Sequence, residues 1–195
     1  MNIFDVKLPT KIAAQIAGMN EAGLQGWMRR KEVGTGGQNG IDPVLGGGSQ
    51  GSHRLWSFRN IMEIAIANEL VTGGVDLDLA LSAGATFAYT GGMPGNMAVD
   101  MNADPDSIDP MREPGFPFHD DHHTALRTFV IVSNKGTTVV AGGDDYDPIR
   151  EAMIRLGNPK VWTCLDCNEV FWMVCHNLKI VPIVALEQAY GVSAF

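Results

Sequence analysis

Residues 13–31 read AAQIAGMNEAGLQGWMRRK, and whether this stretch is one helix or two decides the fold. Just before it, Pro9 and Thr10 open an apolar pattern of Ile12, Ala13, Ile16 and Ala17, the spacing of one helix face. Thr10 is the expected cap of that helix and Gly18 its expected stop. The chain restarts almost at once. Asn20 is placed to cap a second helix, which runs through Leu24, Trp27 and Met28 to Lys31, because its short side-chain carbonyl can accept from the free N–H groups of a first turn. Two short helices joined by so tight a turn predict a helix-turn-helix, whose second helix packs Leu24, Trp27 and Met28 inward and offers its other side to a groove.

Downstream, residues 33–52 read VGTGGQNGIDPVLGGGSQGS. So many glycines cost too much backbone entropy for a helix and make a poor strand except at the ends. The segment is expected to form a two-stranded wing with a long tip, returning through residues 53–56. Ser57 should then cap a third helix, from Phe58 to Leu70 or Val71, in which Ile61, Ile64, Ala65 and Asn68 recur at helical spacing until Gly73 and Gly74 end it. A short fourth helix is expected over residues 76–84, DLDLALSAG.

The segments IAAQIAGMNEAGLQGWMRRK and HRLWSFRNIMEIAIANELVTGGVDLDLAL, with the glycine-rich stretch between them, resemble the winged helix-turn-helix DNA-binding domain of the MerR family of transcriptional regulators. The resemblance covers roughly residues 6 to 83. It implies a recognition helix, Asn20 to Lys31, that enters the major groove, and a wing whose Arg54 lies against the phosphate backbone beside His53, with Trp56 packing or flanking the wing. Where the family usually carries an arginine soon after the recognition helix begins and a tyrosine pair further on, this chain has Ala22 and Gly26-Trp27. Gln25 retains the geometry for a bidentate contact to adenine, and Arg29, Arg30 and Lys31 lie where the helix end would pass a phosphate strand. The predicted DNA-binding residues are therefore Asn20, Gln25, Arg29, Arg30, Lys31, His53, Arg54 and Trp56.

Charge distribution bears on the same expectation. The chain has 195 residues and a formal net charge of -8, which taken whole disfavours a nucleic-acid partner. Residues 1–60, however, carry seven Lys/Arg against four Asp/Glu, a balance of +3, so the rest of the chain stands at -11. A positive head on an acidic body orients a molecule on a polyanion. No apolar run reaches the length of a membrane span, and the N-terminus lacks the plan of a secretion signal. A soluble, cytoplasmic protein with no membrane partner is expected.

Residues 91–123 are rich in glycine, proline and aspartate without sustained periodicity and are expected to form an irregular acidic linker. The linker ends in HDDHH, residues 119–123. Those side chains are metal-ligand types, but neighbours in a flexible stretch seldom converge on one ion, and a solvated, pH-sensitive loop is preferred.

Beyond the linker, TFVIVS, NKG and TTVVAGG predict a β-hairpin with Gly136 at the turn. DPIREAMIRLG predicts a helix with Pro148 in its first turn and Gly157 past its end. KVWTCLD reads as a third strand, NEVFWMVCHNL as a helix, and VPIVALEQAYG as a final apolar segment. Cys164, Cys167, Cys175 and His176 include the pattern CxxC, a zinc signal when a second pair faces it across a turn. Here the second pair falls in an apolar run, so buried thiols acting as small hydrophobes are preferred.

No Gly-rich phosphate loop ending in Lys-Ser/Thr and no Gly-x-Ser-x-Gly elbow is present; no catalytic residue, cofactor or metal is expected. The fold class is α+β, with a winged helix-turn-helix over residues 1–90, the linker over 91–123, and a small α+β domain over 124–195 for dimerisation or contact with a small-molecule or protein effector. The expected partner is double-stranded DNA, bound by a homodimer because one short head reads few base pairs. A protein-interaction component that uses the winged fold as a scaffold is the alternative, and a metal-binding protein ranks third.

Overall fold

The computed structural model describes residues 2–30, 33, 44–45, 54–90, 112–118, 126–142 and 147–191. After a short 3-10 turn, Ile3–Asp5, these residues form β1 (Leu8–Pro9), α1 (Thr10–Ile16), α2 (Glu21–Arg30), β2 (Leu55–Trp56), α3 (Phe58–Thr72) and α4 (Leu77–Tyr89). There follow β3 (Arg127–Ser133), β4 (Gly136–Gly142), α5 (Pro148–Arg155), β5 (Trp162–Asp166), α6 (Cys167–Asn177) and α7 (Pro182–Tyr190). The protein is mixed α+β, with two small antiparallel sheets among the described residues. No single helix among them is long and apolar enough to cross a membrane.

Residues 13–30 do fold as parts of two helices. Gly18 takes φ +77, a left-handed conformation that glycine adopts without steric cost, and the Met19 N–H returns to the Ala14 carbonyl at 3.0 Å. Asn20 then accepts from the Gly23 N–H at 2.7 Å, the expected cap. Thr10 departs from expectation: α1 begins at Thr10 itself, and Pro9 is the cap residue with no side-chain bond. Its hydroxyl is used elsewhere, as the acceptor of the Trp56 indole N–H at 3.1 Å.

β1 and β2 pair Leu8 with Trp56 and Pro9 with Leu55. On its other edge Leu55 exchanges both backbone hydrogen bonds with Leu45, at 3.1 and 2.8 Å. Of the strand expected over residues 53–56, Leu55 and Trp56 form β2 and Arg54 precedes it, while the start of that strand and the tip of the expected wing lie outside the described residues.

Ser57 caps α3 in a reciprocal capping box with Asn60. Apart from Arg59, every residue from Phe58 to Ala67 is buried, so α3 is the central rod of the molecule. α4 is capped by Asp76 and runs to Tyr89, well past the short helix expected over residues 76–84. Gly84 permits the crossing of α3 and α4, since a Cβ there would stand 2.3 Å from the Glu63 carbonyl oxygen. The buried Tyr89 hydroxyl closes the same crossing, donating to Glu63 at 2.6 Å and accepting from Asn60 Nδ2 at 2.9 Å.

The hairpin of β3 and β4 forms as read, with Gly136 at φ +132, and β5 adds to the far edge of β3 in the order β4-β3-β5. α5 packs on one face of this sheet through Ile131, Val140, Ala152 and Leu156. The other face joins a larger cluster that also contains Leu24, Trp56, Ile61, Phe87 and Phe171.

Residues 112–118, all that is described of the expected linker, have irregular backbone but are packed. Phe116 is fully buried, its ring centroid 5.0 Å from Phe58 and 5.8 Å from Phe171. Arg112 is also buried. Its guanidinium donates to the Phe87, Thr86 and Thr90 carbonyls at the end of α4, where the negative end of the helix favours a cation. Burial still pulls its pKa down to about 10.

Candidate nucleic-acid interface

α2 has two sides. Leu24 is fully buried, and the half-buried Trp27 and Met28 pack against the core. Ala22, Gln25 and Arg29 are exposed at i, i+3 and i+7, which puts them in one stripe along the helix. Arg30 is exposed as well, its Nη2 lying 3.6 Å from where a Gly26 Cβ would stand. Opening the helix is Asn20, exposed, with its carbonyl oxygen already used for capping. Gln25 is reachable from solvent but engaged, donating from Nε2 to Glu21 Oε1 at 3.1 Å. Contact with a base edge requires that bond to be exchanged.

Arg54 lies just before β2, exposed, with its Nη1 3.5 Å from the sulfur of Met28. A sulfur acceptor is weak, but the contact sets Arg54 beside the last turn of α2, where Arg29 and Arg30 lie. The elements that hold Arg54 there are few. Leu55 is paired on both edges, and Trp56 is anchored inside by its bond to Thr10. Trp56 is 0% exposed; of the two roles open to it, packing and flanking, the structure assigns packing, and Trp56 leaves the set of groups able to touch a duplex.

The arginines differ in what they hold. Arg59 pairs with Glu113 at 2.5 Å, Arg155 with Glu151 at 2.7 Å, and Arg127 with Asp166, while Arg112 is spent on carbonyls. Arg29, Arg30 and Arg54, and the exposed Arg150 on α5, pair with no carboxylate among the described residues. Lys31 and His53 lie outside the described residues, as does the HDDHH segment.

Three supporting contacts carry no signal in the sequence. Thr10 holds Trp56, Met28 meets Arg54, and Asn68 Nδ2 donates to the Gly18 carbonyl at 3.4 Å, tying the turn between α1 and α2 to α3. Each contact joins residues far apart in the chain.

Two of the three cysteines follow the packing reading, and Cys164, which the sequence also placed among buried thiols, does not. Cys167 and Cys175 are 0% exposed and Cys164 is exposed, all three as free thiols. Burial pushes the Cys175 thiol up to about 12 and Cys167 higher still. His176, next to Cys175, faces outward, so the sequential pair diverges. Among the described residues no three His, Cys, Asp or Glu side chains group closely enough to hold a metal ion.

No protein-family model matches the chain, and no curated protein matches it in sequence.

Proposed function

We propose that the chain is a DNA-binding transcriptional regulator that acts as a homodimer, lays α2 in the major groove and rests the base of its wing on the phosphate backbone. One observation carries this reading: Arg29, Arg30 and Arg54, from two separate elements, gather at one end of an exposed helix and have no carboxylate partner among the described residues. Cations left unpaired beside one another on an otherwise acidic protein repel, and a polyanion relieves that repulsion. The resemblance of residues 6 to 83 to the MerR head supports the same placement, with Gln25 as the base reader and Arg54 as the backbone contact. The departures at Ala22 and Gly26-Trp27 make backbone attachment the larger part of the affinity.

A protein-interaction component is favoured by a different observation, the exposed Trp172, Val181 and Ile183 on α6 and α7. Salt separates the two readings. A head that neutralises about four to six phosphates loses affinity for duplex DNA by orders of magnitude between roughly 50 and 200 mM salt. Selection of duplex fragments from the parent genome, followed by titration across that range, tests the proposal. Absence of any salt-dependent duplex binding overturns it.

A further inference from the structure

The exposed residues of α6 and the turn after it form a series. Val170, Phe171, Val174 and Cys175 are buried, whereas Glu169, Trp172 and His176 are exposed at i, i+3 and i+7 on one side of the helix, with the exposed Lys179 just past its end in the turn before α7. All four line one open groove of about 630 Å³, closed on its far side by Val181 and Pro182 at the start of α7. Trp172 is 56% exposed and Val181 60% exposed, a large apolar surface for a protein whose body is strongly acidic.

The order of the series is its own complement. A two-fold axis crossing α6 between Trp172 and His176 brings a second α6 alongside in the opposite direction, with Glu169 facing the second copy's Lys179 and Trp172 facing its His176. Each contact occurs twice, as in any isologous interface. The series is also electrically balanced, one acid and one base with no ion-pair partner for either among the described residues, whereas the chain beyond residue 60 carries a balance of -11. Two copies that met elsewhere on the acidic body would repel, while here each like-signed end meets its opposite.

We infer that this groove is the dimer interface and that its occupant is a second copy of the chain, with α6 packed antiparallel on α6 and each Trp172 seated against the other copy's groove. The inference rests on the paired reading under the proposed function and names the surface that makes the pair.

Sedimentation velocity of the full chain without DNA, over a dilution series, tests it. The wild-type chain sediments as a dimer. E169K and K179D each place like charges opposite one another twice per dimer and weaken association by about tenfold; Asp is chosen at position 179 because Lys179 has φ +58, where Asp is tolerated. The double variant E169K/K179D restores pairs of opposite sign and recovers wild-type association. Trp172→Ala, an exposed change that leaves the circular dichroism spectrum intact, gives monomers. A monomer at every wild-type concentration, a dimer indifferent to the single swaps, or a monomer that native mass spectrometry finds holding a small organic ligand released by Trp172→Ala overturns the inference. No DNA is present in the measurement, so its failure is distinct from loss of salt-dependent duplex binding.

Discussion

The indole N–H of Trp56 donates to the hydroxyl of Thr10 across 3.1 Å, fastening β2 to the first turn of α1. Trp56 is otherwise surrounded by apolar side chains and has no exposed surface. Without the hydroxyl, a buried donor loses its acceptor, which costs more than the bond itself contributes.

Thr10→Val keeps the shape of the side chain and removes the acceptor. The expected outcome is a loss of about 1–3 kcal/mol, measured by urea unfolding with an unchanged slope. Unchanged stability would mean that the indole finds another acceptor.

Arg54 and Gln25 should fail differently in duplex binding. Arg54→Ala should weaken binding to all duplexes alike and lower the slope of affinity against salt by about one contact. Gln25→Ala should leave the salt slope in place and change the preference between sequences by about 1–3 kcal/mol at one base pair. Competition binding at two salt concentrations separates the two effects. Full affinity and selectivity in both variants would remove these residues from the interface.

Gly84→Ala puts a methyl group 2.3 Å from the Glu63 carbonyl oxygen, and the neighbour is backbone rather than a side chain that can swing aside. α3 and α4 must separate, disturbing the Tyr89 bonds to Glu63 and Asn60. Overpacking of this kind costs about 1–3 kcal/mol. Thermal unfolding checks it, and a gain in stability, as expected for Gly→Ala in an open helix, would contradict the crossing.

The thiols give a readout with a defined sign. In the folded protein Cys164 is exposed while Cys167 and Cys175 are buried, so an aqueous disulfide reagent should label one thiol quickly and the other two only on unfolding. Burial raises the pKa of Cys175 and of Tyr190 to about 12 each, from 9.0 and 10.0. Above pH 9 the unfolded chain therefore releases protons that the folded chain retains, and stability falls as pH rises from about 9 toward 12. Cys175→Ala should flatten the first part of that fall, as followed by denaturant titration at several alkaline pH values.

The local signals in the sequence concerned the backbone. Gly18 and Asn20 marked the break and the restart between α1 and α2, Ser57 and Gly73 bounded most of α3, and Asn134-Lys135 formed the turn of the hairpin, with Gly136 opening β4. These outcomes depend on groups within a few residues of one another: a left-handed glycine, a side chain that reaches the third N–H, an alternation of apolar residues. Local chemistry was also enough to place Cys175 inside, because the apolar run beside it marks a buried helix face, whereas Cys164, in β5, is exposed.

What the sequence could not decide was set by partners distant in the chain. Trp56 looked like a wing aromatic free to pack or to flank, and only Thr10, forty-six positions away, made it interior. α4 ran on past residue 84 because Gly84 lies against α3 and Tyr89 reaches Glu63, so packing extended a helix that its own signals marked as short. The irregular stretch around Phe116 carried no periodicity, yet Phe58 and Phe171 enclose it. The amino acids alone determined where this chain turns and which way each short element faces. Tertiary packing decided which arginines are neutralised and which stay open to solvent, since a charge is quenched by whatever the fold carries to within a few ångströms of it, and no local pattern encodes that distance.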